Sequence, residues 1–252
     1  MSNVLSGFKR EARKIASSLG APKFYIACAA DYDISHEHFF DNPIIFRLRE
    51  DVIPFLYDDY GHGIEHSKNV AIDAGAIVLA ESKEQDREGV RRMVLLAQVA
   101  GLLHDVCRLD LDHARHSAET SRRILASYPL SGEDRDIVAY AIANHENTGP
   151  VEPAGDQIRQ TVSDALHDAD VFRWGPDHFV TTLWEICDYQ DWPISATIER
   201  FPTAMERAAA RAAGLRTATG RTYGPDLMER GLIVGRRMYA LMREYCETHP
   251  CD

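Results

Sequence analysis

Apolar residues along the chain recur mainly three and four positions apart, and no run alternates as a strand would. The pattern predicts a first helix over Phe8 to Leu19, closed by Gly20 and Pro22. Residues 28–60 are less regular and rich in Asp and aromatics, with one helix expected around Ile44 to Leu56. A buried helix is expected from His66 to Ala80, where Val70, Ile77 and Val78 stand among alanines, and Ser82 to Asp86 forms a polar break. The next helix runs from about Asp86 to Val106. From Val94 onward it is apolar over nearly its whole circumference, which belongs at the centre of a bundle. Further helices are expected over Ser117 to Ser127, Ser131 to Asn144, Gln157 to Phe172, Phe179 to Asp188, Ser195 to Ala213 and Pro225 to Thr248. Ser131 with Asp134 reads as a capping box. Asn147 to Asp156, with Gly149, Pro150, Pro153 and Gly155, reads as a loop. No Gly/Ser linker divides the chain, so the fold expected is all-α, a single-domain helical bundle over residues 1–252.

Composition narrows the class. Hydrophobic residues make up 45% of the chain, ordinary for a globular protein with a sizeable core. The formal net charge of -11 argues against a broad grip on nucleic acid, which needs many Lys and Arg facing phosphates. It leaves room for a small phosphorylated ligand, because a metal or a few Arg can reverse the field inside a cleft. The cysteines (Cys28, Cys107, Cys187, Cys246, Cys251) form no CxxC pair, so reduced thiols are expected rather than a disulfide framework or a zinc ribbon. The first residues lack the charged and apolar regions of a signal peptide. The longest apolar stretch, Val94 to Leu103, is about half a membrane span. A soluble, cytoplasmic protein is expected.

The chemistry lies where ionisable groups fall on these helices. His104-Asp105 follows Val99-Ala100-Gly101-Leu102-Leu103, so two polar groups end an otherwise apolar central helix. Burying one neutral polar group without a partner costs roughly 2–7 kcal/mol, and a charge costs more. A divalent cation is the natural compensating partner. Helix neighbours point about 100° apart, so adjacent His and Asp reach one ion near a helix end. His145 ends the face of Ile137 and Ala141, Asp170 ends the face of Val162 and Leu166, and His66 opens a face continued by Val70. Several helices thus each point one imidazole or carboxylate inward, which is how bundles build metal sites.

The order His66, then Leu102-Leu103-His104-Asp105, then Asp170 in Asp168-Ala169-Asp170, resembles the HD-domain metal-dependent phosphohydrolase superfamily. The likeness covers roughly Tyr60 to Gly175, and an HD-type motif core over about 60–175 would carry N- and C-terminal helices packed on it. The resemblance implies that His66, His104, Asp105 and Asp170 hold one divalent metal. It extends to the branch with two metals: His113 stands four residues before Ser117-Ala118, and His145 lies in Asn144-His145-Glu146. There His113 and His145 would hold a second ion, with Asp105 shared. The ions implied are Fe, Mn, Co, Ni, Mg or Zn. Asp105 and His104 would carry the catalytic role, with a metal-activated water attacking a phosphate ester or phosphoanhydride of a nucleotide or other small phosphorylated metabolite.

Competing readings stand beside these. His167-Asp168 is a second such doublet, without a long apolar helix before it. His116 competes with His113, and Asp168 with Asp170. His62, Lys68, Arg108, Arg115 and His116 are candidates for binding the substrate, since cations near the site would suit phosphate oxygens. Cys107 reads as a small core residue, and His36 and His38 have no chemical account from sequence. The same six ligands also resemble the superfamily's di-iron oxygenases, and a non-enzymatic metal- or nucleotide-binding regulator is a further alternative. The partner expected is a small phosphorylated substrate, with no extended nucleic-acid or membrane contact; homo-oligomer formation stays open.

Overall fold

The computed structural model describes residues 3–56, 63–146 and 154–249, and every regular element among them is helical. In chain order these are α1 (Asn3–Ser18), α2 (Lys23–Ala27), α3 (Ala29–Asp41), α4 (Pro43–Val52), α5 (Ile64–Glu81), α6 (Arg87–Leu103) and α7 (His113–Leu125). Then follow α8 (Gly132–Asn144), α9 (Gln157–Phe172), α10 (Leu183–Tyr189), α11 (Ile194–Arg211) and α12 (Ala218–Thr248). A π-helical turn, His178–Thr182, leads into α10.

The central pair is α5 and α6, both buried along most of their length. Their closest approach is at Gly101, where a Cβ would stand 2.5 Å from Ala71 Cα and 2.7 Å from its nitrogen. Only glycine lets the two backbones touch there. That contact lies about one turn deeper in the pair than His66, near the start of α5, and His104, at the end of α6. Helices α8 and α9 complete the main core with Ile137, Ala141, Val162 and Leu166, all fully buried. A second apolar cluster joins α1, the π-turn, α10, α11 and α12 through Ala12, Phe179, Trp184, Phe201 and Met238, and Trp174 packs against both clusters.

Gln98, the one polar break in the apolar stretch of α6, is buried and fully used. Its amide nitrogen donates to Ser35 O at 2.8 Å, its carbonyl oxygen meets His38 Nδ1 at 2.7 Å, and Ser35 Oγ donates to Ile72 O. This network fastens α3 across α5 and α6 and explains His38 as a structural residue.

Several boundaries differ from the sequence expectation. Residues 29–41 form a helix, α3, where an irregular stretch was expected. Only Ser35 and Phe39 are buried along it, so its apolar period is faint. Helix α7 begins at His113 rather than Ser117, and α12 begins at Ala218 with Pro225 inside the helix, where it has no N–H to donate to the carbonyl four residues back. Asp86 caps α6, and the capping box of Ser131 and Asp134 is formed as expected. Cys28, Cys107 and Cys187 are free, but Cys246 is disulfide-bonded, against the expectation of reduced thiols throughout. It sits half-buried near the end of α12, within reach of a partner, unlike the core thiols Cys28 and Cys187. No described helix is long and apolar enough to cross a membrane.

Candidate metal centre

The six residues of the ordered set all lie within about one turn of a helix end. His66 is in the first turn of α5 and His104 is the C-cap of α6, with Asp105 next. His113 opens α7, His145 is the C-cap of α8, and Asp170 is in the last turn of α9. At a helix end the chain leaves its axis, so adjacent side chains such as His104 and Asp105 can converge. The turn after the doublet is tied down where Cys107 N donates to Ser117 Oγ at 3.1 Å. Ser117 in the segment His113-Ala114-Arg115-His116-Ser117-Ala118 therefore fixes Asp105 to the helix that carries His113.

Two sets of donor atoms result. In the first, His66 Nε2 lies 3.2 Å from His104 Nε2 and 3.3 Å from Asp170 Oδ1, while Asp105 Oδ2 is 3.4 Å from His104 Nε2. In the second, Asp105 Oδ1 is 3.3 Å from His113 Nε2 and 3.8 Å from His145 Nε2. Donors about 2.0–2.2 Å from one ion stand roughly 3–4 Å from each other. Both sets have that spacing, and Asp105 gives one oxygen to each.

Three observations test whether a cation fits. Asp105 Oδ1 is buried and has no hydrogen-bond partner among the described residues. The Nδ1 atoms of His104 and His145 sit 2.8 Å and 2.7 Å from the carbonyls of Gly101 and Ile142, so each Nδ1 carries the proton. Each neutral ring then presents an Nε2 lone pair to the centre, the arrangement in which ligating histidines are held. Lone pairs facing one another and an orphaned carboxylate oxygen call for a positive charge between them. The residues fit a divalent metal, or two sharing Asp105.

Without a metal, protons do part of this work. Burial alone would lower His104, but Asp105 and Asp170 outweigh it and raise its pKa to about 9. Burial, with His104's charge, lowers His145. Burial would raise Asp105 and Asp170, yet the imidazoles hold both well below the usual carboxylate range. Arg108 adds a second cation: its guanidinium lies 3.0 Å from His113 Nε2, 3.3 Å from Glu146 Oε1 and 3.6 Å from Asp105 Oδ1.

The other candidates divide. Arg108 reaches the centre and lines the cavity beside it. Lys68 is paired with Glu65 and lines neither of the cavities that reach His66. Arg115 is taken up by Asp112 and Glu119 on an exposed part of α7. His116 is bonded to Asp110 and points away from the centre that His113 enters. His62 lies outside the described residues. The second doublet is a fastening. His167 Nδ1 donates to His145 O at 2.6 Å, with its Nε2 3.1 Å from Gly214 O. Asp168 accepts from the backbone nitrogens of Arg216 and Thr217, both at 2.8 Å, and from Thr217 Oγ1 at 2.7 Å. A Cβ at Gly220 would overlap that carboxylate.

Sequence reading missed the wall of the site. A cavity of about 680 Å³ is lined by His66, Asp170 and His178 together with Trp192, Arg200 and Arg207. Burial, and then Arg211's charge, lowers His178 to about 4, so its ring is neutral at pH 7. The signal was the spacing of Arg200, Thr203 and Arg207, which share one side of α11. Arg173, also on the wall, is consumed by Asp73, Asp177 and Tyr25.

Residues 63–173 match the family model for the HD domain. No curated protein and no solved structure matches the chain.

Proposed function

Residues 63–173 of this chain are an HD domain, a fold of metal-dependent hydrolases, and on that premise we propose that the protein is a phosphohydrolase acting on a small phosphorylated metabolite. The reading rests on one observation above all: the buried carboxylate of Asp105 divides its oxygens between two imidazole sets and leaves Oδ1 without a hydrogen-bond partner among the described residues. His66, His104, Asp105 and Asp170 would hold one ion; His113, His145 and Asp105 would hold a second. Divalent ions held there supply an acidified water and positive charge for a phosphoryl group.

The chain's own residues do the rest. His104 and His145, fixed through Gly101 and Ile142, keep their lone pairs aimed at the centre. Asp105 orients the attacking water while Arg108, beside it, pairs with the phosphate oxygens as charge builds on them. The water oxygen bonds phosphorus as the ester bond breaks, and a proton passes to the leaving alcohol. No protein nucleophile is needed.

The test is metal analysis and phosphate release on purified protein supplied in turn with Mn, Fe, Co, Ni, Mg and Zn. His104→Ala and Asp105→Ala should lose both bound metal and hydrolysis. Variants that keep wild-type metal content and activity would overturn the assignment. Dioxygen consumption by the iron-loaded protein, with no phosphate release from any ester, would replace hydrolysis with the oxygenase reading.

A further inference from the structure

The cavity is longer than a phosphoryl group needs. Its roughly 680 Å³ is lined by His66, Asp170 and Arg108 and also by the side of α11 carrying Arg200, Thr203 and Arg207. The chain is acidic overall, yet among the described residues neither Arg200 nor Arg207 forms an ion pair, and the carboxylates lining the cavity are Asp170 and Glu199. The Arg200 guanidinium lies over the Trp192 ring, 4.4 Å from its centroid. Stacking on an indole keeps the guanidinium plane in place; its Nη1 donates to Ala196 O at 3.0 Å, and the remaining N–H groups can pair with an anion. His178 also lines the cavity; it is 7% exposed, and its buried Nε2 has no hydrogen-bond partner among the described residues. It stands on a π-helical turn, a distortion common at functional sites. The ring is stacked on Trp174 at 4.8 Å, so it cannot easily swing out to water.

We propose that the cavity takes a phosphomonoester bearing a second, remote anionic group, with its first end, the scissile phosphate, at His66, Asp170 and Arg108 and its second anion on Arg200 and Arg207. This rests on the phosphohydrolase reading for the first end only. The second anion is a carboxylate or a phosphate, both of which a guanidinium edge accepts.

The experiment uses the metal-loaded full chain and three series of probes of matched chain length: alkyl phosphates, ω-carboxyalkyl phosphates and alkane bisphosphates. Wild type should hydrolyse at least one length of a doubly anionic series with kcat/KM about tenfold or more above the plain alkyl phosphate, the worth of one charged hydrogen-bonding contact. Which series gains identifies the second anion. In Arg200→Gln/Arg207→Gln that ratio should collapse towards one, mainly through KM. A wild type with no preference at any length, or a ratio that survives in the double variant, overturns the proposal while leaving the hydrolase intact. If no series is hydrolysed, the phosphohydrolase reading falls. Thermal stabilisation by the same probes, compared between wild type and the double variant, then still decides whether the α11 arginines bind the anion. An equal shift in both proteins would overturn it.

Discussion

His66 Nε2 and His104 Nε2 face each other at 3.2 Å across the central helices α5 and α6. With His104 Nδ1 committed to Gly101 O, its Nε2 offers a lone pair, and so a cation or a proton must lie between the rings. The first donor set has two carboxylates, and Arg108 acts on Asp170 only through its charge, with no ion pair between them among the described residues. The second shares one of those carboxylates and already has Arg108 against it. Metal binding should therefore occur in two steps, the tighter at the first set. Elemental analysis should give two ions per chain in wild type, one in His113→Ala, and neither held tightly in Asp105→Ala. Full occupancy in His113→Ala would remove His113 from the centre.

Metal and proton compete for His104. Its pKa in the metal-free protein is raised to about 9, so the proton stabilises that state fully below its ordinary value of 6.5, and the contribution is lost as pH rises through about 9. Binding at the first set must release this proton. Affinity measured against a competing chelator should rise by about tenfold per pH unit between roughly 6.5 and 9, then level off. A flat profile over that range would show that the imidazole enters the centre already neutral.

Gly101 sets the distance between the two histidines. A methyl there would meet Ala71 backbone atoms at 2.5–2.7 Å, and backbone cannot give way as a flexible side chain can. Gly101→Ala should cost about 1–3 kcal/mol in denaturant unfolding, in the range of core overpacking, and weaken metal binding as His66 and His104 separate. Unchanged stability and unchanged affinity would mean that the helices do not touch there.

The two aspartates of Asp168-Ala169-Asp170 should respond in opposite ways. Asp168 is buried and accepts three hydrogen bonds at the start of α12, so Asp168→Ala should lose about 2–4 kcal/mol of stability with metal content retained. Asp170→Ala removes a first-set donor and should lose metal affinity with a smaller effect on metal-free unfolding. The measurement is paired unfolding and metal analysis; the reverse pattern would exchange their roles.

Much of this was legible in the chain. The 3.6-residue period placed α5, α6, α8 and α9 with few errors, because each buries one broad apolar face whose end carries the ionisable residue. The ordered histidines and aspartates marked the centre for the same reason: an ionisable group closing a buried face has to be compensated. Helix α3 was hidden because only two of its residues are fully buried, which leaves almost no period to read. What sequence could not decide was distance and pairing. The spacing to Ser117-Ala118 favours His113 over His116, and packing then turns His113 to Asp105 and His116 to Asp110. Lys68 and Arg115 looked available until neighbours on their own helices took them up. The arginines of α11 lie far along the chain from the doublet, and they face the centre only because α10 and α11 fold back to form its wall. Local chemistry fixes which residues are able to bind. The tertiary fold decides which of them meet, because an ion or an anion responds to positions in space and not to order along the chain.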